Sequence, residues 1–303
     1  MNFIFLIHLT WIATIDFLQF AALFPSLQTL FLKNVENVIF EGLGNMRHSL
    51  QNFRVKSTDI STLESYFVSI AGIPSEDREQ TLPPTKAISY TASWPKLVFL
   101  QIQGCQLRHV PPYLHIFVNL VHLDLSHNLL TAVHCLKSIN WLKVLNLSHN
   151  QITEESIPEI NTSVRILNLS HNYFESMEGM DRLQSLCRLD LSHNRLGDVD
   201  ELRNLRRLPL LQALILQGNP FCDDPDYRLQ AFHVFLEHAL FGLRTSAASD
   251  SFPSEGEWRD NNKSNSTSTS RNATQIFLDG SAITNQEVHL IRYFIHSFAS
   301  LTP

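Results

Sequence analysis

Glycine is scarce in this sequence, at ten residues in 303. A glycine-rich loop that cradles a nucleotide phosphate has little to be made from. Cysteine is scarcer, at positions 105, 135, 187 and 222, with no C-x-x-C pair and no tight cluster. That disfavours a zinc finger and a disulfide-built scaffold. Lys and Arg (23) are outnumbered by Asp and Glu (29), and the net charge of −6 argues against a basic nucleic-acid binder. No G-x-S-x-G elbow, H-E-x-x-H pair, Walker loop or kinase signature occurs, so no catalytic residue is assigned. What is present is 44% hydrophobic and 17% charged, which supports a large core and excludes wholesale disorder. Leucine accounts for 45 of the 303 residues, an excess that points to a repeat.

Six segments share one pattern. Residues 97–107 read LVFLQIQGCQL, 120–130 LVHLDLSHNLL, 142–152 LKVLNLSHNQI, 164–174 VRILNLSHNYF, 186–196 LCRLDLSHNRL and 211–221 LQALILQGNPF. All fit L-x-x-L-x-L-x-x-N/C-x-L, the leucine-rich repeat signature. Their starts lie 23, 22, 22, 22 and 25 residues apart. Weaker copies place Leu50, Phe53, Val55 and Thr58 23 residues after Leu27, Leu30, Leu32 and Val35. Ile4, Ile7, Leu9 and Ile12 would precede these by another 23 residues. The apolar run over 3–24 therefore reads as a first repeat or cap, with a signal or membrane anchor as the alternative. Against the anchor stand His8, Asp16 and Gln19 within the run.

Alternation within each short strand turns the paired leucines inward and the residues between them outward. A lone repeat cannot bury its apolar edge, so the copies must stack. The expected fold is α/β: a right-handed solenoid of about eight or nine repeats with a parallel concave sheet. Leu130, Val133, Leu136, Ile139 and Leu142 continue at a spacing near three, predicting short helical or 3₁₀ turns on the convex side. The Asn at the end of each pattern (Asn128, Asn150, Asn172, Asn194, Asn219) would bond turn backbone as a ladder, with Cys105 in the same place.

The predicted organisation has five parts: 1–26, the apolar start; 27–221, the repeats, with a loop inserted near 74–93; 222–243, a cap helix; 244–275, a Ser/Thr/Asn-rich loop; and 276–303, a closing strand and helix. The register breaks between Ile60 and Trp94, and before the inserted loop Leu63–Ile73 could form a longer convex helix.

The outward strand positions form rows that suit a protein partner. One row is Phe99, His122, Val144, Ile166 and Arg188; the next is Gln101, Asp124, Asn146, Asn168 and Asp190; a third is Ser126, Ser148, Ser170 and Ser192. His127, His149, His171 and His193 recur once per repeat and would stand in a column, but no carboxylate or Cys joins them, so no metal ligand is assigned. No cofactor is expected. Glycosylation sequons at Asn146 and Asn168 follow from the N-L-S consensus; others lie at Asn161, Asn262, Asn265 and Asn272.

A family resemblance adds to this. It is carried by FPSLQTLFLKNV (24–35), EGLGNMRHSLQNF (41–53), LRNLRRLPLLQALILQGNP (202–220) and the cap Pro225, Asp226, Tyr227 and Arg228, followed by FLDG (277–280). On these residues the chain resembles the intracellular SDS22-type leucine-rich repeats of the serine/threonine-kinase-11-interacting family, with a cap similar to that of nischarin. The resemblance runs over roughly 24–243 and resumes at 276. It implies a non-enzymatic cytoplasmic adaptor, at endosomal or lysosomal surfaces, whose partner is a serine/threonine kinase. A phosphatase-regulatory subunit and a membrane-anchored or secreted recognition protein are the alternatives. Ending at residue 303, the sequence lacks the long C-terminal region of that family and reads as a fragment or a divergent relative.

Overall fold

Every repeat contributes one strand, and the strands lie side by side because their inward leucines can be buried only against the neighbouring copy. The computed structural model describes residues 4–8, 15–16, 24–34, 38–39, 43–57, 93–234 and 277–282. Its strands in chain order are β1 (Ile4–His8), β2 (Ile15–Asp16), β3 (Thr29–Lys33), β4 (Val38–Ile39), β5 (Asn52–Lys56), β6 (Phe99–Gln103) and β7 (His122–Asp124). They continue as β8 (Val144–Asn146), β9 (Ile166–Asn168), β10 (Arg188–Asp190), β11 (Ala213–Ile215), β12 (Phe277–Leu278) and β13 (Ser281–Ala282). Eleven of these form one sheet in the order β1-β3-β5-β6-β7-β8-β9-β10-β11-β12-β13, and β2 pairs separately with β4. All pairs in the large sheet are parallel except the closing β12–β13 hairpin. This is the leucine-rich repeat solenoid.

Between strands the chain returns through short 3₁₀ helices, among them Pro112–Ile116, Leu136–Ser138, Glu154–Glu159, Met180–Arg182 and Val199–Leu205. A repeat of 22 residues leaves no room for more than a turn or two. Leu130, Val133, Leu136 and Leu142 are fully buried, and Ile139 nearly so. Each such side chain contributes about 1.5–3 kcal/mol of burial. Trp94 begins the first repeat after the insertion and packs edge-on against Phe117, with ring centroids 6.1 Å apart.

The parallel register follows the sequence alignment for β3 and β5, with Leu30 beside Phe53 and Leu32 beside Val55. At the N-terminus it differs. Ile7 lies beside Leu32, not Leu30, and Ile4 beside Thr29, not Leu27. The first spacing is thus 25 residues, as between β10 and β11. A slip of two residues preserves which side chains face inward, so the hydrophobic pattern alone does not fix it.

The last repeat is closed by residues distant in sequence. Residues 227–234 are helical and bury Ala231, Phe232 and Val234. Strand β12 adds to β11, and Asp279 Oδ1 accepts the backbone N–H groups of Leu216 (2.7 Å) and Gln217 (3.2 Å). The Tyr227 hydroxyl donates to Asp279 Oδ2. Burial, and then this bond, push the Tyr227 phenol well above its ordinary value. Arg228 donates to the carbonyls of Leu278 (2.7 Å) and Ser281 (3.2 Å). Pro225 and Asp226 lie on the exposed turn before the helix, where the Asp226 carbonyl accepts from the Gln230 N–H. Most of the expected 1–26 segment, the possible helix over Leu63–Ile73, the inserted loop near 74–93 up to residue 92, the expected cap helix beyond 234, the 244–275 loop and the closing helix beyond 282 lie outside the described residues.

The ladder asparagines satisfy buried backbone groups of two successive repeats. Asn172 donates to the carbonyls of Leu147, Leu169 and Ser170 and accepts from the Ile152 N–H. Asn172→Ala should cost about 3 kcal/mol, because those buried groups lose their partner. Asn172→Cys, imitating Cys105, should cost less, since a thiol is a weak donor. Urea unfolding followed by circular dichroism checks the order.

Candidate interaction surface

The outward side chains of the sheet meet as the register requires. Thr29, Asn52, Phe99, His122, Val144, Ile166, Arg188 and Ala213 succeed one another across strands β3 to β11. Ile166 is 42% exposed, and Arg188 beside it is also exposed. Val144 is half-buried. The Phe99 and His122 rings lie 4.4 Å apart, and the Arg54 guanidinium carbon sits 4.5 Å above the Phe99 ring. Burial holds the His122 imidazole below its ordinary value; Asp124 opposes that shift and Arg54 adds to it.

The second row is only partly available to a partner. Asp124, Asn146, Asn168 and Asp190 each accept, through Oδ1, the backbone N–H two residues on, at 3.0, 3.1, 2.9 and 3.0 Å. These bonds end each strand in an Asx turn. Asp124 is buried, and its other oxygen accepts from Gln101 Nε2 at 2.8 Å. Asp190 also accepts from the Ser192 hydroxyl at 2.7 Å. The third row is not a concave surface. Ser126, Ser148, Ser170 and Ser192 are buried. The chain has already turned there, and the carbonyls of Ser148, Ser170 and Ser192 accept the N–H groups of His127, His149 and His171 from the preceding repeats.

The asparagine column is continuous. Asn128 Oδ1 accepts the N–H groups of Cys105 (3.0 Å) and Leu107 (3.2 Å), while its amide donates to Ile102, Leu125 and Ser126 carbonyls. Asn150, Asn194 and Asn219 repeat the arrangement. Cys105 stands at the same position, its thiol 3.3 Å from the Gln103 carbonyl.

Beside it runs the histidine column. The rings of His127, His149, His171 and His193 stack at centroid distances of 4.1, 4.0 and 4.3 Å, each pair 12° from parallel. Their backbones are left-handed, with φ of 56°, 55°, 55° and 54°. His tolerates this region better than most residues. The column ends on Gly218, φ 76°, where a Cβ would collide with the His193 ring. Stacked planes aim their ring nitrogens side by side, not toward one point. Among the described residues, no group of three or more His, Cys, Asp or Glu is placed to hold a metal ion.

Two features escaped sequence reasoning. Arg54 reaches the Phe99 ring on the concave face from a weak repeat, and only the Phe53/Val55 alignment hinted that it faces outward. Trp141, 61% exposed, borders a shallow hollow with Pro95, Val98 and Val121 where the chain enters the strands. No helix among the described residues is long and apolar enough to cross a membrane.

A family model for the leucine-rich repeat matches residues 138–157 and 182–200. No curated protein matches the sequence. Among solved structures, an internalin (inlF) from Listeria monocytogenes is similar over 66% of this chain and 50% of its own, with 18% identity and a TM-score of 0.47. An internalin C2 (inlC2) from the same organism is similar over 59% of this chain and 66% of its own, with 22% identity and a TM-score of 0.41. The chain thus spans half the length of the first and just under two thirds of the second.

The stack makes stability depend on pH. Partial burial, and then the neighbouring imidazoles, hold His149 and His171 below the ordinary value of 6.5; Asp190 opposes the shift at His171. The unfolded chain therefore takes up protons first as pH falls. For these two groups stability is highest above 6.5 and declines as pH drops from 6.5 through the folded values. Melting temperatures over that window should fall for the native chain and flatten for His149→Asn/His171→Asn. Proton NMR titration of the two rings should place both midpoints below 6.5.

At the stack's end, Gly218→Ala should lower the melting temperature, and His193→Ala should recover part of that loss.

Proposed function

We propose that this chain is a non-enzymatic scaffold that binds a protein partner across its concave sheet face. Leucine-rich repeats generally mediate protein–protein interaction. The observation that carries the reading here is the outward row from Phe99 to Arg188. Its side chains are not used by the turns, and it sets Val144 and exposed Ile166 between an aromatic pair and a cation. Apolar centres with polar margins suit recognition of a protein surface. The resemblance to kinase-interacting repeats makes a serine/threonine kinase the first partner to test, in a cytoplasmic adaptor at endosomal or lysosomal surfaces.

The test is capture from cytosol with the tagged chain, read by mass spectrometry. Asp190 serves its own turn, so the face is challenged through exposed neighbours instead, as Ile166→Arg/Arg188→Glu. The expected result is recovery of a serine/threonine kinase that this pair abolishes while the thermal melt stays within a few degrees of native. Recovery of a phosphatase catalytic subunit would replace the kinase adaptor by a regulatory subunit on the same face. Partner capture that the pair leaves unchanged would remove the concave face as the site.

A further inference from the structure

Strands β3, β5 and β6 carry an uneven charge. The outward positions of β3, β5 and β6 are nine in number. Three are cationic (Lys33, Arg54 and Lys56), six are neutral and none is acidic, in a chain whose net charge is −6. Lys33 and Lys56 are neighbours in register. Adjacent strands lie about 4.8 Å apart, so the two lysines share one stretch of the face. Among the described residues, the next acid along the face, Asp124, is buried and already bonded to Gln101 and the Ser126 N–H.

The cations are set among aromatic surface. Phe31 lies beside Arg54 in register, and Arg54 stacks over Phe99, which in turn packs on His122. A guanidinium lying on a ring keeps its N–H groups at the edge, oriented before a ligand arrives. Such a fork binds a carboxylate through two parallel bonds.

We propose that the concave face over β3, β5 and β6 docks an acidic segment of a partner protein, with Asp or Glu carboxylates on Arg54, Lys33 and Lys56 and an apolar side chain against Phe31 and Phe99. This rests on the concave-face reading and gives it polarity: anionic contacts at the N-terminal end, apolar contacts at Val144 and Ile166.

A random peptide library displayed on phage is panned against the full chain. Enriched peptides are then titrated as fluorescein conjugates by anisotropy. The expected result is enrichment of acidic sequences with an aromatic or aliphatic residue, bound more weakly as NaCl rises. Arg54→Glu/Lys56→Glu should weaken them about tenfold or more. Ile166→Arg/Arg188→Glu should leave a short peptide at the N-terminal patch nearly unaffected. Should the charge reversal fail to fold by circular dichroism, Arg54→Gln/Lys56→Gln replaces it, with a smaller loss expected. Basic or neutral consensus sequences overturn the inference, as does an absence of enrichment. Peptides sensitive only to the Ile166/Arg188 pair overturn it and leave the concave-face reading standing. Peptides indifferent to both pairs overturn both. Sedimentation with phosphatidylserine vesicles that the Arg54/Lys56 reversal abolishes, without acidic-peptide binding, assigns the patch to a membrane instead.

Discussion

The asparagine amide is the interaction on which the stack depends. A strand of three residues that turns sharply leaves buried carbonyl and N–H groups that no ladder of backbone bonds can reach. A buried polar group without a partner costs about 1–3 kcal/mol. One amide at the turn answers several of them at once, across two repeats. Asn194, for example, donates to carbonyls at Leu169, Leu191 and Ser192. Because each amide joins its own turn to the previous one, a repeat is complete only when the next is present. At the open end Asp279 supplies the acceptor for the turn at Leu216 and Gln217.

That constraint sorts the concave residues into two kinds. Side chains two positions before each serine hold the strand end through its N–H, so Asn146, Asn168 and Asp190 have part of their chemistry committed. Side chains one step earlier in the outward alternation have no such duty. The row from Phe99 to Arg188 is therefore free to vary with a partner, and it does vary: aromatic, imidazole, valine, isoleucine, arginine. The row beneath stays Asp or Asn in all four regular repeats.

Spacing made most of the fold legible. Alternating leucines gave strand positions, and six copies of one turn gave the stack. The weak repeats at Leu30 and Phe53 were placed correctly because several apolar positions had to agree at once. The N-terminal register slipped because Ile4, Phe5, Leu6 and Ile7 are all apolar, and such a run offers no phase. The serines were misread as surface because alternation was carried past the point where the strand ends. Arg54 on Phe99, and Tyr227 on Asp279, were beyond sequence because they join residues 45 and 52 positions apart.

The histidine column shows how a fold requirement and a chemical property become coupled. Among the described residues, the turn places a left-handed residue here in every repeat, and Asn34, Ser57, Gly104 and Gly218 take that conformation without an imidazole. Histidine occupies the four sites that are consecutive, where each ring has another to stack on. Its selection at one site is thus bound to its neighbours, and the column ends against Gly218, where a Cβ would meet the His193 ring as it lies. The recurrence of L-S-H-N therefore reports packing between repeats before it reports any ligand. At His149 and His171 the lowered proton affinity is a consequence of that packing: partial burial first, and then neighbouring rings that oppose their charge.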